Sequence, residues 1–124
     1  MAEQSQGESP RPTDLKFNRA EGQLDITFDT GEVFHLPFEL LRVESPSAEV
    51  QGHGPSQKQL VPGKRHVGVS RAVPTGNYAV RIVFDDGHNS GIYSWDYLYK
   101  MGTKLEDTWQ TYLDAMAKAG LSRD

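Results

Sequence analysis

Hydrophobic and polar residues alternate in the first third of the chain, and a period of two is typical of strands that bury one face. The alternation runs through residues 15–17 and 24–28. An Asp-Thr-Gly sequence at 29–31 interrupts it before another apolar run at 33–36, which favours a hairpin. The pattern therefore predicts two or three antiparallel strands at the start of the domain.

Short helical turns and a long loop are predicted to follow. Pro37 lacks the amide donor that strand pairing needs, and the apolar spacing in 38–42 is that of one helical turn. At Ser45-Pro46, a serine before a proline at the first helical position predicts a second short helix capped by that serine. Residues 51–63 contain three Gly and two Pro, so they are predicted to be a loop.

The second half of the chain contains the strongest strand signal. The nearly continuous apolar run at 78–84 predicts a central strand covered on both faces. An alternating run of valines at 67–73 precedes it, and residues 91–93 follow a reverse turn at 85–89. Each of these flanking segments is therefore predicted to be a strand.

Two helices are predicted to end the chain. Ser94 is a suitable N-cap for the first helix, which is expected to end at a left-handed Gly102. Thr103 and Glu106 have the spacing of a capping box for the second helix, and Gly120 is expected to end it. The apolar face of that second helix is formed by Trp109, Tyr112, Leu113 and Met116.

This order of strands, short helical turns, strands and two helices predicts an α+β domain with antiparallel sheets. The 124 residues correspond to one domain, which we assign to residues 13–124. Residues 1–12 contain no apolar side chain after Ala2, so they are expected to be a disordered tail.

Composition narrows the classes of function. The absence of cysteine excludes disulfides, thiolate zinc sites, cysteine-ligated iron–sulfur clusters and thiol nucleophiles. The net charge of -4 argues against nucleic-acid binding through a general basic field. Because no apolar run approaches the roughly 20 residues of a membrane span, no membrane partner is expected, and we expect a cytosolic protein.

No sequence motif identifies a reaction, so we expect no enzymatic activity and no cofactor. Among the four histidines, His53 and His88 lie in polar loops beside acidic residues and are the best placed for contact with a ligand. A zinc site would require both of them to meet carboxylates such as Glu44 or Glu49, which spacing alone does not establish.

Four aromatic residues within seven positions offer a second binding chemistry: Tyr93, Trp95, Tyr97 and Tyr99. Aromatic rings that surround one space bind a quaternary ammonium by cation–π attraction. However, Tyr97 and Tyr99 are about 200° apart on a helix, so at least one of the four rings is expected to pack in the core. Packing in core and surface is therefore the favoured interpretation.

Two long motifs resemble a known family. The first is Leu-Arg at 41–42 followed by Ser-Pro-Ser-Ala-Glu-Val-Gln-Gly-His-Gly-Pro at 45–55. The second comprises Gly-Asn-Tyr-Ala-Val at 76–80, Phe-Asp-Asp-Gly-His at 84–88, Ser-Gly-Ile-Tyr-Ser-Trp at 90–95 and Tyr-Leu at 97–98. Over about residues 13–120, the chain resembles bacterial members of the gamma-butyrobetaine hydroxylase-like N-terminal domain family. The resemblance does not imply the hydroxylase reaction, which belongs to a separate oxygenase domain.

In the hydroxylase, the resembling domain holds zinc through a Cys-x-Cys-x-x-Cys segment after Leu-Arg and a later histidine in an Asp-Gly-His turn. Here Ser45, Ser47 and Val50 occupy the cysteine positions, and only His88 matches a ligand. A serine hydroxyl is a poor zinc ligand and valine is none. The resemblance therefore implies that the structural zinc is absent, so the protein is expected to hold no stoichiometric zinc and to keep its fold in chelator.

The same family is also found appended to P-loop scaffold ATPases of iron–sulfur assembly, which implies an accessory role. The first hypothesis is a non-enzymatic domain that docks on another protein and is linked to iron–sulfur or metalloenzyme maturation. The alternative is a binding module for a metal or small cation. That module would use His53 and His88, or the aromatic cluster at 93–99.

The candidate partner-binding site joins two polar segments, at 45–55 and 85–90, that the resemblance brings to one place. Its candidate residues are Ser45, Ser47, Glu49, His53, Asp86 and His88. We expect His88 to lie close to Ser45 and Ser47, with hydrogen bonds in place of metal bonds, and two independent solvated loops are the alternative. On this hypothesis, His88→Ala with substitutions at His53 or Glu49 leaves the fold intact and weakens partner capture.

Overall fold

The computed structural model describes residues 9–124, so residues 1–8 of the expected tail lie outside the described residues. Strand pairing begins at Pro12, one residue before the expected start of the domain. The described residues form two three-stranded antiparallel sheets and four α-helices, two of them at the C-terminal end. This architecture confirms the predicted α+β class.

The strand order is β1-β2-β3 in the first sheet and β4-β5-β6 in the second. The strands of the first sheet are β1 (Pro12–Asn18), β2 (Gln23–Phe28) and β3 (Val33–Pro37). The strands of the second sheet are β4 (Val69–Thr75), β5 (Ala79–Phe84) and β6 (Gly91–Ser94). The helices are α1 (Phe38–Val43), α2 (Ala48–Gln51), α3 (Trp95–Thr103) and α4 (Leu105–Ala119), with a single 3-10 turn at Pro55–Gln57.

The first sheet buries the alternating apolar residues that the sequence pattern selects. Leu24 lies opposite Phe17 on one side, and Ile26 lies opposite Leu15 on the same side and Phe34 on the other. Leu24 and Ile26 are fully buried. The two arginines that flank β1 then join the sheets, because Arg11 and Arg19 donate to main-chain oxygens of Asn77 and Ser70 next to and within β4.

β5 is the central strand of the second sheet, as predicted, but the prediction that both of its faces are covered is wrong. Val80, Ile82 and Phe84 are buried, whereas Arg81 and Val83 are only half-buried. The buried apolar residues of both sheets and of α1, α3 and α4 form one cluster. Each sheet therefore has its inner face covered by the same core. On the outer face of β5, Ala79 is buried, while Arg81 and Val83 are only partly covered by the residues that the structure describes.

Two predicted helix ends are wrong. The N-cap of α2 is Ser47, whose hydroxyl accepts the Glu49 N–H, rather than Ser45. α3 continues past Gly102 to Thr103, so this glycine is not a left-handed cap. Its lack of a side chain instead allows α3 to approach β3 closely. A Cβ at Gly102 would lie 2.4 Å from the ring of Phe34.

The start of α4 also differs from the predicted capping box. The Thr103 hydroxyl donates to the Lys100 carbonyl at the end of α3, and Lys104 occupies the N-cap position without a side-chain hydrogen bond. The other predicted ends are confirmed: Ser94 caps α3 by accepting the Tyr97 N–H, and Gly120 ends α4 at φ 69°. The predicted face of α4 packs on the core, where Tyr112 is buried.

The residues after α4 return to the loop that precedes β4. Gly63 N–H donates to the Ser122 carbonyl, and Arg65 N–H donates to the Arg123 carbonyl. The Arg123 guanidinium donates to both carboxylate oxygens of Glu39 in α1, at 2.9 and 2.7 Å, and lies 5.0 Å from the Trp109 ring. The last residues of the chain therefore connect α1, α4 and the loop.

Candidate functional site

The two segments expected to form the site do meet. His88 Nε2 lies 2.8 Å from Ser45 Oγ, and His88 Nδ1 lies 2.9 Å from Glu49 Oε1. Ser47 Oγ lies 2.7 Å from Ser90 Oγ. We call the six residues that link the 85–90 turn to the 45–49 segment the loop junction: Ser45, Ser47, Glu49, Asp86, His88 and Ser90.

Local backbone geometry brings these side chains together. Ser47 caps α2 and so holds Glu49 in the first turn of that helix. Gly87 adopts φ 94°, a left-handed conformation that allows the tight turn before His88, whose N–H donates to Asp86 Oδ1. Gly91 is required for a different reason, because a Cβ there would lie 2.5 Å from Ser45 Oγ.

Asp86 anchors the junction to two cations. Its Oδ2 accepts from Arg42 Nε at 2.8 Å and from Lys64 Nζ at 2.6 Å. Burial raises the pKa of Asp86, but the hydrogen bonds from Lys64, the His88 N–H and Arg42 outweigh this effect and hold the pKa well below its usual range. Asp86 is therefore a carboxylate. Among residues 9–124, the buried Nη1 of Arg42 has no hydrogen-bond partner.

His88 is a buried, neutral imidazole. Burial lowers the pKa of His88 and the Arg42 charge lowers it further, while Glu49 and Asp86 partly oppose them. The neutral ring fits its neighbours if Nδ1–H donates to the Glu49 carboxylate and Nε2 accepts the Ser45 hydroxyl proton. The sequence placed Glu49 in the candidate site but did not predict that its carboxylate would be a hydrogen-bond partner of His88.

Carboxylate, imidazole and hydroxyl follow one another here as they do in a Ser-His-acid triad. However, Ser45 has 0% exposure, and its Oγ also accepts the Ser47 N–H at 3.2 Å. A nucleophile needs an open approach for the substrate carbonyl, which this hydroxyl lacks. The arrangement therefore acts as a polar cross-link between two loops.

The side chains at this site are unsuited to bind the zinc ion that the resembling hydroxylase domain holds. Ser45 and Ser47 offer neutral hydroxyls, the buried Val50 offers no donor, and both ring nitrogens of His88 already have hydrogen-bond partners. Within the described range 9–124, no group of three or more His, Asp or Glu is placed to hold a metal ion.

His53 is the one candidate residue that the structure leaves apart from the others. It is exposed, and its N–H donates to Gln57 Oε1. Gly52, at φ 66°, ends α2 just before it and so turns the chain away from the junction. Glu44 pairs with Lys58 at 2.6 Å, so the residues needed for the alternative zinc site are not assembled.

The four aromatic residues at 93–99 do not surround a common space. The hydroxyls of Tyr93 and Tyr97 donate to the carbonyls of Leu41 and Glu44, and burial raises the pKa of Tyr97 to about 12. The Tyr99 ring packs edge-on against Phe28 with ring centres 5.1 Å apart. Separately, Trp95 Nε1–H donates to the Asn77 carbonyl. The rings therefore pack in the core and on the surface, as the favoured interpretation has it.

The lowered pKa of His88 predicts a loss of stability on mild acidification. The unfolded chain takes up the proton at about its ordinary pKa of 6.5, whereas the folded state takes it up only at lower pH. The His88 contribution is therefore complete above pH 6.5 and decreases as the pH falls toward the folded-state pKa. The charged groups that face the ring are Glu49, Arg42 and Asp86, and Asp86 stays ionised in this window.

The test is urea denaturation between pH 7.5 and roughly 5, which spans this proton uptake. We expect His88→Gln to lower stability at pH 7.5 and to give a flatter pH dependence than the wild type. Because His88 is buried, we now expect its substitution to cost stability, in addition to any effect on partner capture. Parallel curves for the two proteins would contradict the assignment of this titration to His88.

The comparisons with known proteins give the class of protein to which this fold belongs. A family model described as "Gamma-butyrobetaine hydroxylase-like, N-terminal" matches residues 15–99. This chain belongs to that family. No curated protein matches it.

Three similar solved structures match this chain, and two of them extend over nearly all of it. One NMR solution structure is 43% identical with a TM-score of 0.81 and covers 94% of this chain and 92% of that one. A second is 48% identical with a TM-score of 0.81 and covers 95% and 88%. A crystal structure of a protein of unknown function from Acidithiobacillus ferrooxidans, of the DUF971 family, is 37% identical with a TM-score of 0.63 and covers 74% and 92%.

Among residues 9–124, no helix combines the length and the apolar character that crossing a bilayer requires.

Proposed function

We propose that this chain is a non-enzymatic accessory domain that docks on another protein through the outer face of its second sheet. The observation that carries the proposal is the set of side chains on that face. In the register of the sheet, Arg71 lies opposite Val83, Val73 lies opposite Arg81, and Arg81 lies opposite Ile92. These five residues, here called the β5 outer face, point away from the core, because Ile82 and its neighbours point into it.

The first sheet is an internal comparison for this face. Its outer side carries Lys16, Asp25, Thr27 and His35, with the exposed Val33 opposite Thr27 as an apolar residue among them. Asp25 accepts a hydrogen bond from His35 at 2.7 Å. Such polar residues are what the solvated side of an antiparallel sheet ordinarily shows. The second sheet departs from this pattern with three β-branched apolar side chains.

Exposure supports a docking role for the β5 outer face. Ile92 is 45% exposed, while Val73 and Val83 are half-buried. Neighbouring apolar side chains on a surface are a common mark of protein–protein interaction. A sheet face is also flat, whereas sites for small molecules are concave, so the face suits a protein partner better than a small ligand.

The loop junction borders this face and holds its edge in position. Arg81 Nη1 donates to the Asn89 carbonyl at 3.0 Å, and Asn89 lies between His88 and Ser90 of the junction. The junction side chains bond to one another, so we assign them a positioning role rather than direct contact. Substitution of His88 is therefore expected to weaken docking indirectly.

The resemblance noted above makes P-loop scaffold ATPases of iron–sulfur assembly the first partners to test. A role in iron–sulfur or metalloenzyme maturation is accordingly part of the proposal. It is tested by the identity of the captured protein.

The experiment compares three forms of the full chain in affinity capture, followed by affinity measurement with the purified partner. Val73→Ser combined with Ile92→Ser removes apolar contact from the β5 outer face and is expected to weaken the partner's affinity about tenfold or more. Val33→Ser is the matched control, since Val33 is an apolar residue with 51% exposure on the other sheet. Equal affinity of the double variant and the control would show that this face is not the docking surface.

A further inference from the structure

The β5 outer face carries positive charge among its apolar side chains. Arg71 is exposed on the edge strand β4, and Arg81 lies on the central strand between Val73 and Ile92. The face therefore alternates guanidinium groups with β-branched side chains. The chain as a whole has a net charge of -4, whereas the charged side chains of this face are both positive.

Three other arginines of the domain are paired with carboxylates, whereas Arg11 and Arg19 donate to main-chain carbonyls. Arg42, Arg65 and Arg123 form ion pairs with Asp86, Asp124 and Glu39. Arg81 instead donates to a neutral carbonyl, that of Asn89. Within residues 9–124, neither Arg71 nor Arg81 has a carboxylate oxygen within ion-pair distance.

A second copy of this chain is a poor occupant of the face. A two-fold dimer brings the same patch of both subunits together, so Arg71 and Arg81 of each copy would meet without a carboxylate from the face to compensate them. Like charges at an interface are costly, and opposite charges provide specificity and faster association. Charge complementarity therefore favours a partner that supplies acidic groups.

We propose that the segment docking on the β5 outer face is a peptide stretch of the partner that combines acidic and apolar side chains. Its carboxylates pair with Arg71 and Arg81, and its apolar side chains cover Val73, Val83 and Ile92. This inference rests on the proposed function, because it specifies the partner of the same surface.

The probe is a phage-displayed library of random dodecapeptides, selected on the full chain. We expect the enriched peptides to contain Asp or Glu among apolar residues and to lack Lys and Arg. The strongest of them, made synthetically, is then titrated by fluorescence anisotropy. Its affinity is expected to fall as salt is raised, because partly exposed ion pairs are screened.

Arg71→Glu is the decisive variant, and Lys16→Glu is its matched control on the outer face of the first sheet. We expect Arg71→Glu to weaken peptide binding about tenfold and Lys16→Glu to change it less than about twofold. Arg71→Gln is expected to give an intermediate loss. Thermal melting of each variant confirms that it is folded before titration.

Each other outcome overturns the inference. It fails if no peptide is enriched, if the enriched peptides are basic, or if Arg71→Glu binds the acidic peptide as tightly as the wild type. Binding of the natural partner distinguishes the proposal of a docking surface from the proposal of an acidic docking segment. If its binding is weakened by Val73→Ser with Ile92→Ser but unaffected by Arg71→Glu, the docking surface stands and the acidic segment does not. If neither set of substitutions weakens it, both proposals fail.

Discussion

Val80→Asp is expected to leave the chain unfolded at 25 °C, whereas Val83→Asp, three residues along the same strand, is expected to leave it folded. Val80 is 4% exposed and faces the core opposite Tyr93 on β6. Val80 belongs to the apolar core cluster, and burying an unpaired charge there costs several kcal/mol. Since small domains have about 5–15 kcal/mol of stability, this loss removes most of it.

Val83 is the matched control because it lies on the opposite face of β5. It is half-buried, so a carboxylate there reaches water and the loss is limited to about 1 kcal/mol of strand preference. Circular dichroism during urea denaturation measures both variants. Unfolding of both proteins would mean that the outer face of β5 is also covered, and this would remove the basis for the docking surface as well.

The position and class of most elements follow from local patterns. The alternation around Leu24 and Ile26 predicts the first sheet correctly. A period of two places both side chains on one face of a strand, and the strand pairing in the structure buries that face. The run at 78–84 predicts β5, but an apolar run does not reveal which layers cover it. The charged Arg81 inside this run was the sign in the sequence that one face is open, and the structure leaves this residue half-buried.

The helix ends were harder to predict because tertiary contacts decide them. Gly102 has the residue type of a C-cap, but α3 needs a small residue there to pack against Phe34. Ser45 precedes a proline and so resembles an N-cap, but its hydroxyl is bonded to His88 from another part of the chain. Local sequence contains no information about partners 43 residues away.

The candidate site shows the same division between local pattern and long-range contact. Only the family resemblance predicted that His88 lies beside Ser45, and no spacing rule joins them. The ion pairs from Asp86 to Arg42 and Lys64 were not predicted at all, because these residues are 44 and 22 positions apart. The Arg71 and Arg81 face could have been found by applying the period of two to β4 and β5 after the fold class was established.

The loop junction is held by side-chain hydrogen bonds at the positions where the family resemblance places metal ligands. The 45–49 segment and the 85–90 turn are held by hydrogen bonds through His88, and Asp86 ties the turn to Arg42 and Lys64. Each hydrogen bond contributes on the order of 1 kcal/mol, so several are needed where a metal would use a few strong ligand bonds. The shared apolar core supplies the remaining stability.

A further large effect is expected at the other end of the chain, where Arg123→Ala should destabilise the domain by about 2–4 kcal/mol. Glu39 has only 6% exposure, and Arg123 donates to both of its carboxylate oxygens. Removing the guanidinium leaves a buried carboxylate without its cation, which costs more than the pair contributes. The expected loss lies toward the lower end of the range for buried pairs because the Arg123 side chain is 27% exposed.

Arg65→Ala is the matched control, because it also removes an arginine that forms an ion pair, in this case with Asp124 in the C-terminal region. The Arg65 and Asp124 side chains are 41% and 63% exposed, so their pair is expected to contribute no more than about 1 kcal/mol. Chemical denaturation of both variants gives the comparison, and Glu39→Gln in the Arg123→Ala background should restore part of the loss by removing the buried charge. If the two single variants are equally stable, or if Glu39→Gln restores nothing, the loss does not arise from an uncompensated charge at Glu39.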